Sequence, residues 1–123
     1  MEVKIKLALP ATNESNHQIE HGLDLNDLIV RHPAATYYLQ IESGSFEDIP
    51  IYAGDILVID RSITNFHQKL VVAILEGEFV VRKLYIDPHN QTILKGPIGE
   101  EILPAEIDFS VWGVVTYIIH KAT

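Results

Sequence analysis

Ser45 is the residue whose setting in this sequence best suits nucleophilic chemistry. It stands in the motif Ser43-Gly44-Ser45-Phe46, where a predicted strand gives way to a turn that can expose a hydroxyl group to a cleft. A serine becomes a nucleophile only beside a group that can take its proton. The candidate for that role is Arg82, in the later strand EFVVRKL. The chemistry of the chain therefore depends on what this pair can do.

A metal site is the second chemistry that the residues suggest. The segment HQIEH, which contains His17, Glu20 and His21, matches the H-x-x-E-H zinc pattern. That pattern needs a helix presenting both imidazoles, whereas this segment is polar, so we expect a solvated loop with no metal and no cofactor. The remaining histidines are scattered near the ends of predicted elements and are interpreted as surface or capping residues: His32, His67, His89 and His120.

Composition narrows the class of protein. The chain has 123 residues and is 47% hydrophobic, which fits one globular domain, and it has no cysteine for a disulfide or a thiol nucleophile. Its net charge of -8 argues against direct binding to nucleic acid, which needs a basic surface. No apolar run reaches the roughly 18 residues of a membrane span, and the N-terminus lacks a signal peptide's apolar core. We therefore expect a soluble, cytoplasmic protein.

The hydrophobic pattern predicts a mainly β, partly closed single domain with one short helix. Alternation over residues 1–9 and a polar stretch after it predict an N-terminal arm over 1–22, and the domain itself covers 23–123. The helix is predicted near 24–31, with Asp24 as its N-cap. Six strands are predicted after it, two of them joined as a hairpin at Glu76-Gly77: TYYLQI, DILVID, LVVAILE, EFVVRKLYI, QTILKG and SVWGVVTYIIHK.

The run LDLNDLIVRHPAATYYLQIESGSFEDIPIYAGDILVIDRSI resembles UmuD-like members of the LexA/UmuD family of self-cleaving serine peptidases. The similarity continues through LVVAILEGEFVVRKLYI and SVWGVVTYII, so it covers about residues 23 to 120. It implies the β-rich fold of the family's C-terminal domains. It also implies a Ser-Lys dyad, in which the serine attacks a peptide bond in the protein's own N-terminal arm and the lysine acts as the base.

Carried onto this sequence, the resemblance puts Ser45 at the nucleophile position, although the family's Gly-Asp-Ser-Met motif is replaced around it. The dyad lysine falls on Arg82. Making a lysine neutral at pH 7 costs roughly 4 to 5 kcal/mol, and burial can supply much of that shift. The same step costs an arginine roughly 7 to 9 kcal/mol, so Arg82 cannot serve as the general base.

Lys83 is the neighbouring alternative to Arg82. Adjacent strand residues point to opposite faces, so Lys83 could face Ser45 only through a β-bulge. Arg82 is interpreted instead as a partly buried guanidinium bonded to Ser45 or to a nearby carboxylate. The residues that align near the family's scissile bond are about Leu7-Ala8-Leu9, without the family's cleavable glycine bond.

The resemblance implies a UmuD-like accessory protein of the SOS response and translesion DNA synthesis whose dyad is inactive. The expected partners are a second copy in a homodimer, a UmuC-like polymerase subunit and RecA filaments. One alternative is an active self-cleaving serine peptidase that uses Ser45. A third interpretation is a generic β-rich binding domain, for which a monomer without a polymerase partner would be evidence.

Overall fold

Nine β-strands and one short helix make up the part of the chain that the structure describes. This structure is a computed structural model, and it describes residues 4–5, 9–10, 24–44, 49–97 and 99–122. The helix α1 is Leu25–Ile29, and a 3₁₀ turn follows at Pro33–Ala35. The strands are β1 Lys4–Ile5, β2 Leu9–Pro10, β3 Thr36–Ser43, β4 Ile56–Asp60, β5 Lys69–Leu75, β6 Glu78–Ile86, β7 Thr92–Lys95, β8 Glu100–Ile102 and β9 Phe109–Ile119.

Local sequence signals define both ends of α1. The Asp24 side chain accepts a hydrogen bond of 2.9 Å from the backbone N–H of Asn26, so the predicted N-cap is confirmed. The helix ends before His32, whose φ of -129° and ψ of 83° lie outside the helical region. This is the conformation expected for a residue that precedes a proline, here Pro33.

All nine strands belong to one antiparallel sheet with the order β1-β3-β4-β9-β5-β6-β7-β8, and β2 also pairs with β3. The long β9 lies at the centre, because its first half pairs with β5 and its second half with β4. Register shifts in these two ladders leave Trp112 and Thr116 as extra residues of β9, as in β-bulges. The sheet is open, and the predicted mainly β domain with one short helix is confirmed.

The predicted hairpin is confirmed, but two strand predictions need correction. Glu76 and Gly77 have φ values of 50° and 84°, as a two-residue turn between twisted antiparallel strands requires. The sequence pattern did not predict β8, which pairs with β7. Strand pairing also reaches one residue beyond the predicted alternation over 1–9, because Pro10 pairs with Tyr37 at the sheet edge, where a proline costs no ladder hydrogen bond.

Both faces of the sheet carry a hydrophobic cluster. One face has the first cluster: Leu39, Ile41, Ile51, Leu57, Ile59, Val72 and Val81. The other has the second cluster: Val71, Ala73, Val80, Leu84, Leu94, Leu103 and Val114. Burial on both faces explains why the predicted central strands read as nearly continuous apolar runs.

Candidate active site

Ser45 follows the end of β3 in sequence, at a predicted turn. Ser45 itself falls in residues 45–48, outside the described part of the chain, so its position stays a prediction. Before it, Gly44 has a φ of 97°, a left-handed conformation that leads the chain out of the strand at little cost for glycine. Ile41, near the end of β3, accepts a 2.7 Å hydrogen bond from Gly54 and donates one of 2.8 Å to the carbonyl of Asp55. The end of β3, just before Ser45 in sequence, is therefore hydrogen-bonded to the Gly54-Asp55 turn.

Asp55 holds the second of these turns in place. It is 1% exposed, and its carboxylate accepts a 2.9 Å hydrogen bond from the backbone N–H of Tyr52. Its other oxygen lies 2.8 Å from Nδ1 of His120. His120 is exposed, as predicted for a surface residue, but it also pairs with a buried carboxylate near the chain's C-terminal end. A buried carboxylate needs such partners, because an unpaired charge is costly away from water.

Arg82 lies on β6 and is 6% exposed. Its Nη1 donates a 2.9 Å hydrogen bond to the carbonyl of Val81. The side chain passes over Gly96, where a Cβ atom would lie only 2.9 Å from Nε of Arg82. Arg82 is thus buried more fully than predicted, whereas its predicted contact with Ser45 or with a nearby carboxylate stays a prediction.

Lys83 points to the face opposite Arg82. The β5–β6 ladder runs without a register shift from the Lys69–Leu84 pair to the Leu75–Glu78 pair, so the β-bulge that would exchange the two faces is absent from this pair of described strands. Lys83 shares its face with Val81, a member of the first cluster. That cluster also contains Ile41 and Ile51, which lie on either side of the Ser45 turn in sequence.

Sequence reasoning missed a second polar cluster, formed by His32, Asp60 and Ser62. Nδ1 of His32 lies 2.7 Å from the Asp60 carboxylate and 3.2 Å from the Ser62 hydroxyl group. Ser62 donates its hydroxyl and backbone hydrogens to the same carboxylate, at 2.5 and 2.8 Å. Burial opposes ionisation of Asp60, but the hydrogen bonds from His32 and Ser62 outweigh it and lower the pKa of its carboxyl group below 3.8.

This cluster is not arranged as a Ser-His-Asp triad. In a triad the carboxylate and the serine meet different ring nitrogens of the histidine. Here Asp60 and Ser62 both meet Nδ1 of His32, so the ring cannot bond the carboxylate through one nitrogen and take the serine proton at the other. The local signal was an aspartate two residues before a serine, which is typical of a side chain bonding to the backbone ahead of it. His32 is distant in sequence and could not be assigned to this cluster in advance.

The described residues give no support for a metal site or a membrane span. The HQIEH segment lies outside the described residues, so the zinc pattern stays untested. Elsewhere in the described ranges, no three metal-ligating side chains come together. No helix in the described part of the chain has the length and apolar character of a membrane span.

Comparison with known proteins places the chain in a family. Residues 1–116 match the Peptidase S24-like family. The protein MucA of Escherichia coli is 39% identical over 100 residues, which cover 77% of this chain and 66% of MucA. ImpA of Shigella flexneri is 33% identical over 114 residues, 91% of this chain and 74% of ImpA. The LexA repressor of Hahella chejuensis is 32% identical over 78 residues, 63% of this chain and 38% of that repressor.

The chain thus spans about two thirds of the length of MucA, and more of ImpA. The family match and the β-rich sheet agree with the resemblance seen in the sequence around Ser45 and Arg82. The chain therefore belongs to the Peptidase S24-like family, as a UmuD-like member of its LexA/UmuD group.

Proposed function

We propose that this chain is a UmuD-type accessory protein of SOS mutagenesis that binds a translesion polymerase subunit and does not cleave itself. The observation that carries the proposal is the buried arginine at the position of the family's base. Arg82 is 6% exposed, and its Nη1 donates a hydrogen bond to the carbonyl of Val81. Unlike lysine, arginine is not deprotonated in proteins.

The high pKa of arginine makes the dyad inactive. Burial lowers the pKa of a lysine by up to 3 to 5 units, which is enough to give a neutral amine near pH 7. An arginine would need a shift of roughly 5 to 7 units, which is more than burial supplies. A hydroxyl group at Ser45 would therefore have no base in Arg82.

The proposed role then lies in binding. The chain acts as a cytoplasmic homodimer and contacts a UmuC-like polymerase subunit, and RecA filaments are a further partner. Similarity to MucA and ImpA supports this assignment. The net charge of -8 also supports it, because it disfavours direct binding to DNA phosphates. Its route to DNA would pass through the polymerase subunit.

The silent dyad is tested by restoring the base. We expect the purified protein to keep its full mass during long incubation at alkaline pH, and Arg82→Lys to shorten its N-terminal arm or to react with a serine-directed probe. Ser45→Ala in the Arg82→Lys background is the matched control and must abolish both signals. Cleavage by the unmodified protein that Ser45→Ala stops would overturn the proposal.

The binding role needs a separate measurement. The chain and a UmuC-like subunit from the same cell are co-expressed, and the complex is sought by size-exclusion chromatography with light scattering. A complex containing two copies of the chain is the expected result. A monomeric chain that never elutes with the subunit would favour a generic β-rich binding domain.

One observation favours the alternative of an active self-cleaving peptidase. Lys83 is half-buried and lies on the face of Val81, whose cluster includes Ile41 and Ile51, the residues that flank Ser45 in sequence on either side. If Lys83 were the base, the unmodified protein would clip itself, and Lys83→Ala would stop the reaction while Arg82→Lys would add nothing. Under the silent-dyad proposal, Lys83→Ala has no reaction to stop.

A further inference from the structure

A groove of about 390 Å³ runs between α1 and the second half of β9, on a part of the molecule that the Ser45–Arg82 pair does not include. Ile29 of α1, 7% exposed, and the half-buried Ile63 line it with apolar surface. Tyr117 of β9, 38% exposed, adds an aromatic ring to the same lining. A groove of this size has room for two or three side chains of a bound peptide.

The groove carries positive charge on an otherwise acidic protein. Arg31 and Lys69 line it and are both exposed, and the one acidic residue of the lining is Asp60. The carboxylate of Asp60 is already engaged, because it accepts hydrogen bonds from Ser62 and lies 2.7 Å from His32. Two cations therefore face a single carboxylate, so the lining has an excess of positive charge, while the chain as a whole has a net charge of -8.

Apolar surface continues beyond the groove along α1. Leu25 lies four residues before Ile29, one turn away on the same side of the helix, and it is 57% exposed. Leu28 is 41% exposed. Such side chains offer nothing to a small inorganic anion, but they lengthen the surface that an extended or helical peptide could cover.

We propose that this groove binds an acidic peptide segment of a partner protein, with its carboxylates at Arg31 and Lys69 and an apolar side chain against Ile29 and Tyr117. The occupant is inferred to be acidic because its carboxylates would complement the positive charges of Arg31 and Lys69. A nucleic acid is disfavoured, since two cations on a protein of this net charge make too small a basic footprint. The groove and the dyad share no residue, so failure of one proposal leaves the other standing.

The test uses the full chain and a defined probe. A fluorescein-labelled peptide, Gly-Asp-Glu-Leu-Phe-Glu-Leu-Gly, is titrated by anisotropy up to about 1 mM, where weak specific binding is still measurable. Two further peptides replace the acids by Asn and Gln, or the Leu and Phe residues by Ala. We expect saturable binding of the acidic apolar peptide alone, and amide shifts confined to α1, Lys69 and residues 114–117.

Matched variants separate the groove from general charge. Lys69→Glu and Lys121→Glu change the net charge equally, but Lys121 is not part of the groove lining. We expect Lys69→Glu to weaken binding by about tenfold or more and Lys121→Glu to leave it within about twofold. Tyr117→Ala should weaken it as well. If Lys69→Glu fails to fold, as judged by circular dichroism, Lys69→Gln replaces it.

Several results would overturn the proposal. Equal losses for Lys69→Glu and Lys121→Glu would show a general charge effect. Equal binding of the acidic and the amide peptides would remove the role of the carboxylates. Inorganic phosphate giving the same amide shifts at the same concentration would make the groove a simple anion site. No saturable binding at about 1 mM would show that the groove does not take such a peptide.

Discussion

Gly96 leaves the space that the Arg82 side chain fills, and a double-mutant cycle can measure how tightly the two are fitted. In Gly96→Ala the new Cβ would lie 2.9, 3.0 and 3.2 Å from Nε, Cδ and Cζ of Arg82. These atoms cannot move away freely, because the side chain is buried and its Nη1 is bonded to Val81. Forcing one carbon into such a site costs about 1 to 3 kcal/mol.

The same change also brings a benefit. Gly96 has no positive φ, so alanine can adopt its backbone conformation, and replacing the glycine stabilises by about 0.4 to 1 kcal/mol through the unfolded state. The net cost of Gly96→Ala is therefore about 0 to 2.6 kcal/mol. In an Arg82→Val background the three crowding atoms are gone, and the same change should become slightly stabilising. The expected coupling is about 1 to 3 kcal/mol.

Urea unfolding followed by fluorescence measures all four proteins, since Trp112 is the chain's single tryptophan. Gly77→Ala serves as the control, because Gly77 has a φ of 84° and open space around it. Its cost of about 1 to 2 kcal/mol should be the same in both backgrounds. A Gly96→Ala cost that does not depend on residue 82, within about 0.5 kcal/mol, would refute the fitted packing of Arg82 on Gly96.

Three further predictions concern the sheet and its buried carboxylates. Gly113→Ala should destabilise by about 3 kcal/mol in urea unfolding, because its Cβ would overlap Cγ2 of the buried Ile59; a loss below about 1 kcal/mol would contradict this packing. Because the folded pKa of Asp60 is lowered, its ionised form stabilises the protein above pH 3.8 and this contribution is lost as pH falls through the folded pKa. Asp60→Asn should therefore flatten the fall of Tm between about pH 5 and pH 2, whereas an unchanged slope would refute the stabilising role of the ionised Asp60 carboxylate. Asp55→Ala should cost about 2 to 4 kcal/mol and speed amide exchange in the adjoining turn, and protection equal to that of the unmodified protein would count against it.

Local chemistry made much of the fold predictable. The N-cap at Asp24 and the hairpin at Glu76-Gly77 depend on residues that are neighbours in sequence, and both are present. The strand Glu100–Ile102 was not predictable, because its three residues carry no apolar alternation and are ordered by pairing with β7. The extra residues Trp112 and Thr116 in β9 likewise result from the register of its two partner strands, and the sequence of β9 alone does not predict them.

In the candidate site, too, the features set by neighbouring residues were predictable, and those set by distant residues were not. Alternation along β6 correctly separated the faces of Arg82 and Lys83 from sequence alone. The pairs His32–Asp60 and His120–Asp55 join residues 28 and 65 positions apart, so only the folded sheet brings them together. Histidines interpreted as surface residues therefore serve as partners for buried carboxylates.

Gly96 bears on how the arginine at the base position should be understood. If the packing fitted a lysine as well as an arginine, Gly96→Ala would cost the same in the Arg82→Lys background as in the unmodified protein. A larger cost beside arginine, and thus a strong coupling, would instead show packing fitted to the guanidinium. Restored cleavage in Arg82→Lys together with weak coupling would mean that only the base had changed. Strong coupling without restored cleavage would mean that the packing around the base position had been rebuilt, and Gly96 would then be the next residue to change in recovering activity.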